Sequence, residues 1–111
     1  MKTTDYKPKN PQWALAHFFD CWKRRAWKQI LNYVQLSWLV RHEEPSKVLR
    51  TSLHVLINTE DLQIIFHKKR SSHILLVKIQ RKLDTAIDES QRKVKLFYED
   101  NKWKVDPDSI I

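Results

Sequence analysis

The 111-residue chain contains no glycine. Positive φ costs least at glycine, so in this chain it must fall on residues whose short polar side chains tolerate the left-handed region. Asn58, Asp100 and Asn101 are the expected positions. The same absence excludes whole classes of chemistry. Neither a P-loop nor a dinucleotide-binding fingerprint can be written without glycine. Tight turns must be built from Asn, Asp, Ser and Lys.

Those residues punctuate the second half of the chain. Residues 92–107 read RKVKLFYEDNKWKVDP. Val94, Leu96 and Tyr98 alternate with Lys93, Lys95, Phe97 and Glu99, which predicts a strand. Asp100-Asn101 is the turn, and Trp103 and Val105 lie on a second strand that stops at Asp106-Pro107. Trp103 is expected to be largely buried. Two more strands are predicted at about 62–67 and 73–83, with KKRSS as the loop between them. DTAIDES then reads as a second loop or a frayed strand extension.

The first half reads helical. Asn10-Pro11 is a helix start, an N-cap residue followed by proline at the first helical position. Ala14, Leu15, Phe18, Phe19 and Trp22 form one apolar stripe. Lys23, Arg24 and Arg25 suit the negative end of that helix. A second helix is predicted over roughly 26–34, with Ile30, Leu31 and Val34 inward. QLSWLVRHEE adds a turn or short helix carrying Leu36, Trp38, Leu39 and Val40. Pro45-Ser46 starts a third helix, 46–57, with Val48, Leu49, Leu53 and Leu56 on one face. Asn58 to Asp61 is a turn. Helices first and an antiparallel meander after predict the α+β class. Residues 1–9 read as a flexible lead-in and 10–111 as a single domain.

Formal net charge is +8. Residues 62–83 carry Lys68, Lys69, Arg70, Lys78, Arg81 and Lys82 with no acidic residue. Lys68, Lys69, Arg70, Lys78 and Lys82 are therefore the candidate patch for an anionic partner such as nucleic acid. The plainer explanation, a well-solvated surface, is preferred. One cysteine, Cys21, excludes an internal disulfide and a cysteine zinc site. It reads as an inert buried thiol. No segment approaches the ~20 apolar residues of a membrane span. The N-terminus lacks the apolar core of a signal peptide. The expectation is a soluble, cytoplasmic protein; a leader trimmed from the chain would leave the same sequence.

Three stretches carry a family resemblance. FFDCWKRRAWKQIL resembles the first helix, break and second helix of the nuclear transport factor 2-like superfamily, which includes SnoaL-like polyketide cyclases, ketosteroid isomerases and many small bacterial domains. PSKVLRTSL is similar to its short third helix, and KVKLFYEDNKWKVDP to its last two strands. The likeness spans roughly residues 10–107. The family usually has Gly-Asp in the break, where this chain has Arg25-Ala26. The resemblance implies a cone, with a bent antiparallel sheet wrapped around N-terminal helices and a pocket at the open end. Family members use that pocket for isomerase or dehydratase chemistry, for ligand binding, or use the fold for dimerisation. Fold alone does not choose among these.

The candidate pocket residues are Trp22, Trp27, Tyr33, Trp38, His17 and Asp20. The aromatics could stack on a flat ligand, but most fall at helical spacing and core packing is the preferred explanation. An enzyme of this type needs an acid or base in an apolar pocket, and Asp20, His17 and His54 are the candidates. His67 and His73 flank KKRSS and read as surface residues. No His pair has the spacing and nearby Glu of a zinc site, so no metal or cofactor is expected. WKRRAWK, residues 22–28, interleaves bases with aromatics and is the best nucleic-acid segment, and it also matches a helix end plus turn. The preferred expectation is a non-catalytic module that binds a small ligand in the pocket or a protein partner through the sheet, as a homodimer. One alternative is a small isomerase, dehydratase or hydrolase-like enzyme. Another is an accessory domain for an anionic polymer, or one related to the non-catalytic domain of transpeptidases.

Overall fold

The computed structural model describes residues 6, 7, 9–54, 63–69, 74–82 and 87–110. The order is α1 (Pro11–Lys23), a 3-10 turn (Gln29–Tyr33), α2 (Leu36–Val40), α3 (Pro45–His54), then β1 (Gln63–Lys69), β2 (Ile74–Lys82), β3 (Ile87–Glu99) and β4 (Lys102–Val105), with a last 3-10 turn at Pro107–Ser109. The class is α+β. The strands form one antiparallel sheet in the order β1-β2-β3-β4.

α1 begins at Pro11 as expected. Asn10 stands at the N-cap with extended backbone, but its side chain does not cap the helix. The end of α1 is the more instructive. The Ala26 N–H donates to Cys21 O at 2.8 Å and the Arg25 N–H donates to Trp22 O at 3.0 Å. These are the two bonds of a Schellman stop, which needs a left-handed residue between them. Arg25 supplies it, with φ 58°. The position that favours glycine thus carries a long cationic side chain.

This stop truncates the second helix expected at 26–34. Val34 is extended, with φ −102° and ψ 140°, and makes an isolated parallel bridge to Val105. Only Gln29–Tyr33 remains between the two constraints, and it closes as a 3-10 turn. Its Ile30 and the following Val34 are buried, as expected.

Arg25→Gly tests the backbone cost. Relief of the left-handed penalty is worth about 1–2 kcal/mol, and the added freedom of the unfolded chain takes back about 0.5–1 kcal/mol. A net gain of about 0.5–1 kcal/mol in urea unfolding is the expected result. A lower midpoint than wild type would show that the Arg25 side chain contributes more than its backbone costs.

β3 is the backbone of the sheet. Its first nine residues pair with β2, from Lys82↔Ile87 to Ile74↔Lys95. Its last four pair with β4, from Leu96↔Val105 to Glu99↔Lys102. Ile87 to Ser90, the latter part of DTAIDES, are strand, the second of the two alternatives expected for that segment. Lys68 and Lys69, placed by the sequence reading in the KKRSS loop, also belong to a strand, after an irregularity between Phe66 and Lys68. Asp100 and Asn101 have φ 52° and 62° and close the two-residue β3–β4 turn. Two consecutive positive φ values match the right-handed twist of the flanking strands. Asn58, the turn from Asn58 to Asp61, Leu56, and Arg70, Ser71 and Ser72 lie outside the described residues.

Among the residues whose burial is described, the core joins the helical layer to β3 and β4. Leu15, Phe18 and Trp22 of α1 meet Ile30, Trp38, Leu49 and Leu53, and Val94, Leu96, Val105 and Ile110 from the C-terminal part. Among the described residues none of the buried ones is polar or charged. Trp103 sits at the rim, half-buried rather than enclosed. Its ring meets Tyr98 edge-on at 5.3 Å, and its indole N–H donates to Lys9 O at 3.0 Å.

Candidate functional site

The six candidate pocket residues fall in three places. Trp22 and Trp38 are fully buried core residues. The Trp22 indole stacks on Phe19 at 5.3 Å and donates to Leu53 O at 3.2 Å. Trp38 donates to Asp108 Oδ1 at 3.0 Å and its ring lies 4.3 Å from that of His42.

His17, Tyr33 and Asp20 form a second group, on the flank of α1. The His17 and Tyr33 rings stack at 5.1 Å with 17° between planes. Trp13 closes the group, 4.4 Å from His17. Asp20 is committed to an ion pair with Arg24 at 2.9 Å. Arg24 Nη2 also reaches Cys21 Sγ at 3.8 Å. Burial raises the Cys21 thiol pKa, with Arg24 opposing and Asp20 adding to the rise. That is the opposite of nucleophile activation. Burial also raises the Tyr33 hydroxyl pKa.

Burial lowers the His17 pKa from 6.5, Asp20 opposing and Arg24 reinforcing the shift. The folded state therefore binds fewer protons than the unfolded chain just below that value. Stability from this source is complete above pH 6.5 and falls as the pH drops toward the folded value. His17→Phe should show a smaller loss of thermal midpoint than wild type between about pH 7.5 and about pH 5.5. Equal losses would exclude His17 as the source.

Trp27 belongs to a third place, a cleft of about 330 Å³ lined by Arg25, Trp27, Lys28, Ser46, Lys47 and Arg50. The turn that follows α1 supplies the first three, and the first turns of α3 supply the others. Trp27 is half-buried, packed against the core on one side and lining the cleft on the other. Lys28, Lys47, Arg50 and Arg25 are exposed. Ser46 stands in the first turn of α3, where the helix presents its positive end. Lys47 pairs with Glu44 at 3.5 Å, both side chains largely exposed, so the pair is weak. Four cations, one hydroxyl and one indole make a recess suited to an anion. WKRRAWK pointed to half of this lining. Ser46, Lys47 and Arg50 escaped notice because their nearness to Trp27 is purely tertiary. The only local signal was Lys47 and Arg50 spaced one turn apart.

The expected strand patch is divided by the register. Lys68 pairs with Leu76, and Lys69 pairs with Leu75. Lys68 therefore shares register parity with Lys78 and Lys82, while Lys69 has the opposite parity. Lys93 and Lys95 share the parity of Lys78, since Lys93 pairs with Leu76 and Lys95 with Ile74. Arg70 lies outside the described residues.

Among the described residues no group of three or more His, Cys, Asp or Glu side chains could hold a metal ion. No described helix is long and apolar enough to cross a membrane. In comparisons with known proteins, no family model matches the chain, and neither a curated protein nor a solved structure matches it.

Proposed function

We propose that the chain is a non-catalytic binding module of the nuclear transport factor 2-like cone type, and that it binds a small anion in the cleft between the end of α1 and the start of α3. Helices followed by an antiparallel sheet, with a helical break at Arg25-Ala26, support the cone. The observation that carries the function is the cleft lining: Arg25, Lys28, Lys47 and Arg50 around one recess. Like charges gathered in one concave place repel one another, and a bound anion relieves that repulsion. The six lining residues include no carboxylate or imidazole, leaving lysine as the one general acid or base type among them, and we read the lining as a binding site.

Titration calorimetry with inorganic pyrophosphate at low salt tests this. Wild type should bind, with affinity falling as salt screens the exposed cations. The Lys28→Ala/Arg50→Ala variant should bind about tenfold more weakly, equivalent to ~1.4 kcal/mol. No binding by wild type, or equal affinity in the variant, would remove the reading.

A further inference from the structure

We infer that the ligand of this cleft is a nucleoside phosphate: a phosphate group carried beside a flat aromatic ring. The inference rests on the small-anion reading above and adds the ring. Its carrier is the position of Trp27. Trp27 is half-buried, and unlike the other half-buried tryptophans it borders a recess lined by cations. Trp27 is packed against the core along one part and forms a wall of the cleft along another. The residue is thus anchored by the core and partly exposed beside the cleft, where its indole would serve as the platform. Stacking on such a platform needs only a π-face, which every base has.

The cations stand in the same lining. Arg25 and Lys28 come from one element, Lys47 and Arg50 from another, and all four border the recess. Arginine guanidinium groups meet phosphate oxygens in pairs of parallel bonds. Lys47 keeps donors to spare beyond its exposed pair with Glu44. Ser46 adds a hydroxyl at the positive end of the ten-residue α3. A peptide carboxylate or bare phosphate would use the charges and leave the indole idle, and a neutral sugar would use the indole and leave the charges idle. A nucleoside phosphate uses both.

Size limits the ligand further. Small-molecule pockets run from roughly 300 to 1,000 Å³, so a cleft of about 330 Å³ lies at the small end. It suits one ring with its phosphate and is short for a run of polymer.

The test compares AMP, adenosine, inorganic phosphate, pyrophosphate and a single-stranded oligonucleotide of about twelve residues against the full chain by calorimetry at low salt. AMP should bind at least about fivefold tighter than inorganic phosphate or adenosine, the gain expected from one stacked base. Trp27→Leu should remove that advantage and leave pyrophosphate affinity within about twofold of wild type. Trp27→Phe should retain most of the advantage, and circular dichroism on both variants checks that they fold. Arg50→Ala should weaken AMP and pyrophosphate alike. If pyrophosphate binds but AMP gains nothing over phosphate, or if Trp27→Leu is silent, the ring is overturned while the anion site stands. If no small anion binds, both fail. If the oligonucleotide binds more tightly than AMP per phosphate, a polymer replaces the mononucleotide.

Discussion

Trp22→Ala is expected to destabilise the protein by about 3–5 kcal/mol, the upper range for deletion of a buried aromatic. At roughly 4 °C per kcal/mol for a domain of this size, the thermal midpoint should fall by about 12–20 °C. Two losses combine. The ring is fully buried among α1 and α3 residues, so its removal leaves a cavity. Its N–H also satisfies Leu53 O, 31 positions along the chain. Leu53 lies in the last turn of α3, where carbonyls have no partner within the helix. Trp22 therefore caps α3 from another helix. Trp22→Phe separates the two terms, since it keeps most of the volume and loses the donor. It should cost about 1–3 kcal/mol. A Trp22→Ala midpoint within a few degrees of wild type would mean that α1 and α3 do not share one core.

Trp38→Ala should have a similar effect, again about 3–5 kcal/mol, for a different reason. α2 has only five residues, too short to persist without packing. Its anchor is the enclosed Trp38 ring, held by Asp108 Oδ1, while Asp108 Oδ2 accepts from Arg41 Nη2 at 3.3 Å. Asp108 is exposed, so Asp108→Ala removes the polar contacts alone and should cost about 1–2 kcal/mol. Urea unfolding of the two variants decides the matter. Equal costs would show that the carboxylate, rather than burial of the ring, holds α2.

What could be read from the sequence depended on whether the deciding contacts were local. The apolar stripe of α1 and the Asp100-Asn101 turn are local patterns, and both stand where they were expected. The break after α1 was legible where it falls, at Arg25-Ala26, but its left-handed backbone was not, for a physical reason. Glycine or asparagine normally marks such a residue, and arginine carries no turn signal. The second helix could therefore be started directly at Ala26, where the chain forms only a 3-10 turn from Gln29. The strand start at Ile87 was left open between loop and strand extension by the opposite effect. DTAIDES has loop composition, but pairing of Ile87 through Ser90 with Lys82 through Ile79 overrides it. Trp103 was expected deeper than it lies because alternation identifies a face and cannot tell the middle of a sheet from its rim. For the candidate site, the aromatic and basic residues of 22–28 were visible. Ser46, Lys47 and Arg50, the other half, enter only when the chain folds back.

The placement of β4 sets an order on how the molecule can be made. β4 pairs with β3 on one side, and Val105 meets the segment after the 3-10 turn on the other, where Gln35 N–H donates to Val105 O at 2.9 Å. Trp38 likewise waits for Asp108, 70 residues downstream. At about 5–20 residues per second, a ribosome needs roughly 4–14 s to synthesise that stretch. Throughout that interval the apolar stripe of α1 and the Trp38 indole have emerged without the strand that covers them. A nascent chain stalled before Lys102 should accordingly be held by chaperones and cut readily by protease, and the release of the last strand should convert it to a resistant form in one step.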